Sequence, residues 1–171
     1  MPDRRARFQE IAEQVSDPLQ RYLRRRALRG DADDALSEVM LTVWRRLDDV
    51  PPDPLPWCYG IARRVLANQR RGRARHLRLV SRMESEPRQT AIPDHAETGP
   101  DPELAAALAA LSGDDQEVLR LWAWEQLEPR EIAPVLGISV NAASLRLSRA
   151  RNKLAATLSR QDQPHAGHEA V

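Results

Sequence analysis

Apolar residues recur at three- and four-residue spacing along most of the chain, the period of a helix with one buried face. Phe8, Ile11, Ala12, Val15, Leu19, Tyr22 and Leu23 predict one long helix or a helix pair over 7–29, with Asp17-Pro18 as a place where a second helix can start. Gly30 breaks the pattern. Ala32, Ala35, Leu36, Val39, Met40, Val43, Trp44 and Leu47 then predict a helix over 31–47, capped by Asp31 or Asp33. The proline-rich run VPPDPLP over 50–56 predicts a loop, and Trp57, Ile61, Val65 and Leu66 predict a helix over 57–71. Periodicity lapses over 83–102. It returns over 103–111 and 114–124, where Val118, Leu119, Leu121 and Trp122 mark an apolar face. No window alternates β-branched residues, aromatics are 4% of the chain, and Leu and Ala dominate, so the expected fold class is all-α.

The most informative stretch is PREIAPVLGISVNAASLRLSRARNKL, residues 129–154. Pro129 suits the first position of a helix, where no N–H is needed. Ile132, Ala133 and Leu136 share a face, and the small Ala133 permits close helix approach. Gly137 stands where the helix should stop in the left-handed conformation. Ile138 turns back to the core, and Ser139 suits the N-cap of a second helix. In that helix Ala143, Leu147, Ala150, Leu154 and Leu158 should face inward, while Asn141, Ser144, Arg146, Ser148, Arg149 and Asn152 project elsewhere. This is the helix-turn-helix pattern, whose second helix enters a DNA major groove. The alternative is a helical hairpin with a solvated basic face. The outward residues argue against it, being types that contact base edges and phosphates, with no Asp or Glu between Val140 and Arg160.

Charge divides the chain further. The net charge is only +1, yet residues 1–82 hold 18 basic and 11 acidic residues, 83–128 hold 2 and 11, and 129–171 hold 6 and 3. Two basic segments flanking an acidic one fit two nucleic-acid contacts joined by a spacer. Residues 63–82 contain eight arginines and no acid, more than solvation of a helix face requires. Trp57 and Tyr59 lie beside that tract, where aromatics can stack unpaired bases, although the period also places Trp57 on the apolar face. Arg24, Arg25 and Arg26 read equally as a solvated helix end or a phosphate contact. The segment 83–102, with four prolines and five acids, is expected to be a flexible linker. It spans at most roughly 66 Å at ~3.3 Å per residue, near two duplex turns of ~34 Å. The expected organisation is two small helical domains, 1–82 and 103–160, joined by that linker and followed by a frayed tail over 161–171.

Candidate chemistry adds little to that picture. No nucleophile–base pair, Gly-rich phosphate loop or metal set is legible, so no enzyme, cofactor or metal is expected. Asp33, Asp34 and Glu38 sit where a helix dipole favours carboxylates, with no further ligand at metal spacing. His165 and His168 in the tail are a poor metal site, and the single Cys58 cannot form an intramolecular disulfide. No stretch approaches the ~20 apolar residues of a membrane span, and the opening MPDRRARFQE has no apolar leader, so a cytoplasmic chain with no membrane partner is expected.

Three blocks, DADDALSEVMLTVWRRL, PWCYGIARRVLANQRRGRAR and REIAPVLGISVNAASLRLSRARNKL, come in this order. Together they resemble the extracytoplasmic-function (group four) RNA polymerase sigma factors, in which similar helices are followed by a second domain ending in a similar helix-turn-helix. The resemblance covers nearly the whole chain apart from the tail. It implies partners: core RNA polymerase through its β′ and β subunits, promoter DNA, and, left open, an anti-sigma factor. It implies that the 33–47 helix docks on a coiled coil of β′, with Asp33, Asp34, Leu36, Glu38 and Val39 as the contact set. It implies that the 48–56 loop and the following helix open and read the minus-ten element, through Trp57, Arg63, Arg64, Asn68, Arg70 and Arg71. It implies that Ser139, Asn141, Ala142, Ser144, Leu145, Arg146 and Arg149 read the minus-thirty-five element. Ser37, Cys58, Arg64 and Asn68, and the run Asn141-Ala142-Ala143-Ser144-Leu145, depart from the common family pattern. Two other classes remain: a helix-turn-helix regulator that binds duplex unaided, and a general nucleic-acid-binding module.

Overall fold

The computed structural model describes residues 3–28, 30–81 and 101–161. Of the linker expected over 83–102, residues 83–100 lie outside them, as do Arg29, Arg82 and the tail with His165 and His168, while Asp101 and Pro102 instead cap and begin a helix, because the Asp101 side chain accepts the Glu103 N–H. Among the described residues every regular element is helical, in two compact units.

Unit 1 is a three-helix bundle of α1 (Arg4–Arg26), α2 (Ala32–Arg45) and α3 (Pro54–Ser81), with a 3-10 turn at Leu47–Asp49. Asp3 caps α1 by accepting the Arg5 N–H at 3.1 Å. α1 runs through Pro18 as one helix, so Asp17-Pro18 does not divide it. The missing N–H costs one helical bond, while the stripe Ile11, Val15, Leu19, Tyr22 and Leu23 stays buried on both sides of it. In α2, Ala35, Val39 and Val43 are buried against α1 and α3. Trp44, expected inside, is 38% exposed, its ring set edge-on to Phe8 at 5.3 Å.

α3 departs most from expectation. The proline-rich loop is shorter, because Pro54 and Pro56 form the buried first turn of α3, where absent N–H groups cost nothing. At its other end the helix continues past Arg71 to Ser81. Cys58, Tyr59, Ile61, Ala62, Val65 and Leu66 are all buried, a wider face than the period showed, because α3 packs on both α1 and α2. Tyr59 is thereby corrected from a candidate base-stacking residue to a core residue: it is 2% exposed and its ring lies 4.8 Å from that of Tyr22.

Unit 2 holds α4 (Pro102–Ala109), α5 (Gly113–Ala123), α6 (Pro129–Leu136) and α7 (Val140–Gln161), with α4, α5 and α6 packed on α7. Ser112 caps α5 by accepting the Asp115 N–H at 3.2 Å. Glu131 closes α6 at its start by accepting the Glu128 N–H at 2.7 Å. Gly137 has φ +67°, and the Ile138 N–H returns to the Ala133 carbonyl at 3.1 Å, so α6 ends in the left-handed stop its glycine predicts. Ser139 accepts the Ala142 N–H at 3.1 Å and caps α7. Ala143, Leu147 and Ala150 are buried while Leu154 and Leu158 are half-buried. Trp122, expected on the apolar face of α5, is 40% exposed.

Candidate nucleic-acid and polymerase interfaces

Because α3 is one helix to Ser81, its arginine tract acquires a geometry. At ~100° per residue, Trp57, Arg64, Asn68, Arg71, Arg75 and Arg78 fall within about 60° of one line along the helix. From Arg64 to Arg78 that stripe extends ~21 Å at ~1.5 Å per residue. Arg64, Asn68, Arg71, Arg75 and Arg78 are exposed, and Arg71 donates to Asn68 Oδ1 at 2.6 Å, which holds the two side chains together. Trp57, at the start of the stripe, is half-buried, with the Arg46 guanidinium 5.4 Å from its ring centre. It is neither a core residue nor a fully exposed platform.

Other basic residues of this region hold the bundle together. Arg70, expected at the minus-ten interface, donates to the Arg26 carbonyl at 2.9 Å and so caps the C-terminus of α1. Arg73 makes a two-pronged bond to Asp31 at 2.9 and 3.1 Å, which occupies the carboxylate expected to cap α2. Arg63 is half-buried and lies off the stripe. Arg26 is 4% exposed with its guanidinium 3.9 Å from the Tyr22 ring, so within Arg24–Arg26 this residue is a packing group. The expected minus-ten set therefore divides: Trp57, Arg64, Asn68 and Arg71 share a face, whereas Arg63 and Arg70 do not. Pairings separated by about 42 residues leave no local signal in a sequence, and only packing of the α1–α2 turn on α3 brings them together.

On α2, Asp33, Asp34 and Glu38 are exposed and Leu36 is half-buried. Val39 is fully buried, so it packs beneath that surface rather than forming part of it. Leu41 and Trp44 are large apolar side chains exposed on the same helix, outside the contact set the sequence predicts. The Arg4 guanidinium lies 5.4 Å from the Trp44 ring and also bonds the Trp44 carbonyl at 2.9 Å and Asp48 at 3.1 Å. Cys58 is buried, and burial pushes its thiol up to about 12, so it stays protonated and inert. No group of three or more metal-ligating side chains occurs among the described residues, and none of the described helices is long and apolar enough to cross a membrane.

On α7, Asn141, Ser144, Leu145 and Arg149 are exposed, and Ala142 and Arg146 are half-buried. The Ser139 hydroxyl is already engaged as the cap. Arg146 pairs with Asp114 at 3.7 Å, Lys153 pairs with Asp115 at 2.6 Å, and the Arg151 guanidinium lies 4.8 Å from the Trp122 ring. The hydrogen bond from Lys153 holds the Asp115 carboxyl below its ordinary value, with Ser112 and the nearby charges of Lys153 and Arg146 acting the same way against desolvation. Asp114 and Asp115, read from sequence only as the start of a helix, thus reach the basic face of α7 across the packing of α5 on α7.

An all-α chain with a basic helical stripe in one unit and a capped helix-turn-helix in the other belongs to the class of DNA-binding transcription proteins. Its family models match accordingly: Sigma-70 region 2 over residues 11–76 and Sigma-70, region 4 over residues 102–154. RNA polymerase sigma factor NccH of Alcaligenes xylosoxydans xylosoxydans is 30% identical over 137 residues, 75% of this chain and 74% of the relative. ECF RNA polymerase sigma factor EcfG of Rhodopseudomonas palustris (strain TIE-1) is 31% identical over 134 residues, 74% of this chain and 71% of the relative. The chain belongs to the extracytoplasmic-function RNA polymerase sigma factors. Among solved structures, CnrH in complex with the cytosolic domain of CnrY is similar with a TM-score of 0.59 and 28% identity, covering 95% of this chain and 92% of that one. The sigma factor RpoE from Bartonella quintana, solved with the anti-sigma factor NepR, has the same fold, with a TM-score of 0.64, 22% identity and coverage of 91% and 98%. The chain is thus a promoter-directed initiation factor that works with core RNA polymerase and promoter DNA, in a family that regulates transcription.

Proposed function

We propose that unit 1 carries both the polymerase-docking face and the minus-ten reader, and that α7 reads the minus-thirty-five element. The observation that carries the first part is the alignment of Trp57, Arg64, Asn68, Arg71, Arg75 and Arg78 along α3. A row of guanidinium groups follows a phosphate backbone, and a half-buried tryptophan at its end offers a face to an unstacked base. Reading a flipped base costs a few kcal/mol of unstacking, least where strands are already parted. A polymerase-bound factor that meets a partly opened, A·T-rich segment therefore gains most from this surface. Asp33, Asp34, Leu36 and Glu38 form the β′-docking face, with Val39 supporting it from below.

On α7, Asn141, Ser144, Leu145 and Arg149 present the outward surface, with Ala142 and Arg146 at its edge. Arg149 is a phosphate contact and Arg146 a base-edge contact, being closer to the N-terminus that enters the groove. The chain acts by binding and positioning, with no catalytic step or cofactor of its own, in the cytoplasm alongside the polymerase. An anti-sigma factor is a further partner: RpoE, of the same fold, was solved with the anti-sigma factor NepR, and CnrH, 28% identical to this chain, with the cytosolic domain of CnrY.

Charge reversal tests the docking face. The double variant Asp34→Lys, Glu38→Lys should weaken core binding by about tenfold, since interfacial charges of this kind are worth on the order of 0.5–1 kcal/mol each. Helicity by circular dichroism should not change, because both side chains are exposed. Unchanged affinity in a fluorescence titration with core enzyme would exclude this face.

A further inference from the structure

The first turn of α5 sits against the DNA-facing helix, and its two acidic residues do different work there. Acids in a first turn ordinarily serve only the helix dipole. Asp115 is more constrained than that role requires: its side chain is 9% exposed, it accepts Lys153 Nζ at 2.6 Å, and its own N–H is fixed by the Ser112 hydroxyl. That anchor ties the N-terminal turn of α5 to α7 and sets the rotation of α7 relative to α5. Asp114, the next residue back, is 67% exposed, yet it lies 3.7 Å from Arg146, whose side chain is 34% exposed. Lys153, Arg146 and Ala142 fall on one edge of α7 and line a shallow cleft together with Asp115, Leu145 and Arg149. The outward Arg149 has no hydrogen-bond or ion-pair partner among the described residues.

A long arginine has many rotamers, and most of them do not present its planar fork to a base edge. A carboxylate beside it narrows that set before DNA arrives, so less order is lost on binding. Resting on the reading of α7 as the minus-thirty-five helix, we propose that Asp114 is a positioning residue for base recognition: it buttresses Arg146 toward one base pair, with the Asp115–Lys153 pair holding α5 in register. Its main effect is on discrimination, with a small and opposite effect on overall affinity. A carboxylate near the duplex repels phosphate, so removing it raises binding to any sequence while relaxing the choice at the position Arg146 reads.

The test uses holoenzyme reconstituted from core polymerase and the full chain, and a panel of templates with every single substitution in the minus-thirty-five element. Asp114→Ala should reduce discrimination at one base-pair position by about three- to tenfold, the coupling typical of neighbouring groups. Binding to unrelated duplex should rise slightly. Asp114→Glu should restore the selectivity. Arg146→Ala should abolish selectivity at the same position, and the double variant should lose no more than Arg146→Ala alone. A merely structural role for Asp114 would lower the melting temperature and weaken all templates alike, which overturns the proposal. If Arg146→Ala relaxes one position while Asp114→Ala leaves every ratio unchanged, the buttress is wrong and the groove reading stands. If Arg146→Ala changes no ratio at any position, the groove reading of Arg146 fails and the buttress falls with it.

Discussion

Lys153→Met isolates one interaction that holds the helix-turn-helix to its neighbour. The substitution keeps an apolar stem across α5 and deletes the ammonium that bonds Asp115 at 2.6 Å. Exposed ion pairs contribute ~0.2–1 kcal/mol, and breaking a fully buried pair costs ~3–5 kcal/mol. This pair is between those cases, since the carboxylate side chain is 9% exposed and the lysine 59%. Solvent on the lysine side screens it, so a loss of about 1–2 kcal/mol is expected. For a domain of this size ~1 kcal/mol shifts the melting temperature by ~4–8 °C, so unit 2 should melt ~5–15 °C lower. The pH dependence is specific to the mechanism. Lys153 lowers the Asp115 pKa below its ordinary 3.8, so the stabilisation is complete above that value and is lost as pH falls through the lower, folded value. Urea denaturation followed by tryptophan fluorescence should show the full difference between wild type and variant at neutral pH, narrowing only as the pH falls below the ordinary value of 3.8 and through the lower, folded one. A difference that persists unchanged into acid, or one under ~0.3 kcal/mol at neutral pH, would refute the reasoning.

Two further outcomes follow from the core of unit 1. Tyr59→Ala removes a ring buried against Tyr22 and should destabilise the chain by about 3 kcal/mol or more in denaturant titration, whereas a base-stacking role on the surface would leave stability unchanged. Cys58, buried with its thiol pushed up to about 12, should resist alkylation in the native chain at pH 8 and react fully once urea unfolds it.

The helix-turn-helix was legible in the sequence because each of its signals is local. Pro129, Gly137 and Ser139 act within a turn of their own positions, and their predicted caps and stop appear as expected. α2 was legible for the same reason, through its period of three and four. α3 is longer at both ends than its sequence signals. Prolines 54 and 56 look like a loop until a helix start is allowed to use them, and Gly72 and the unbroken basic run hide the helix that continues to Ser81. Tyr59 was misplaced because a helix packed on two sides buries more than one stripe. The roles of Arg70, Arg73, Asp114 and Asp115 depend on partners 32 to 44 residues away, and no window of sequence displays them. Arginine counts along the chain signalled nucleic acid correctly as a class, but they did not separate residues that face outward from those that bind the bundle.

Run-off transcription with purified core polymerase, the full chain and a library of random-sequence templates tests the central claim most directly. Core with the chain should yield transcripts from a subset of templates sharing two spaced elements, which core alone does not select. Alanine at Arg64, Asn68 and Arg71 together should lower the yield from duplex templates far more than from templates pre-melted at the start-proximal element. The contradicting result is a chain that binds its duplex sites equally well without core and leaves start-site selection by the polymerase unaltered.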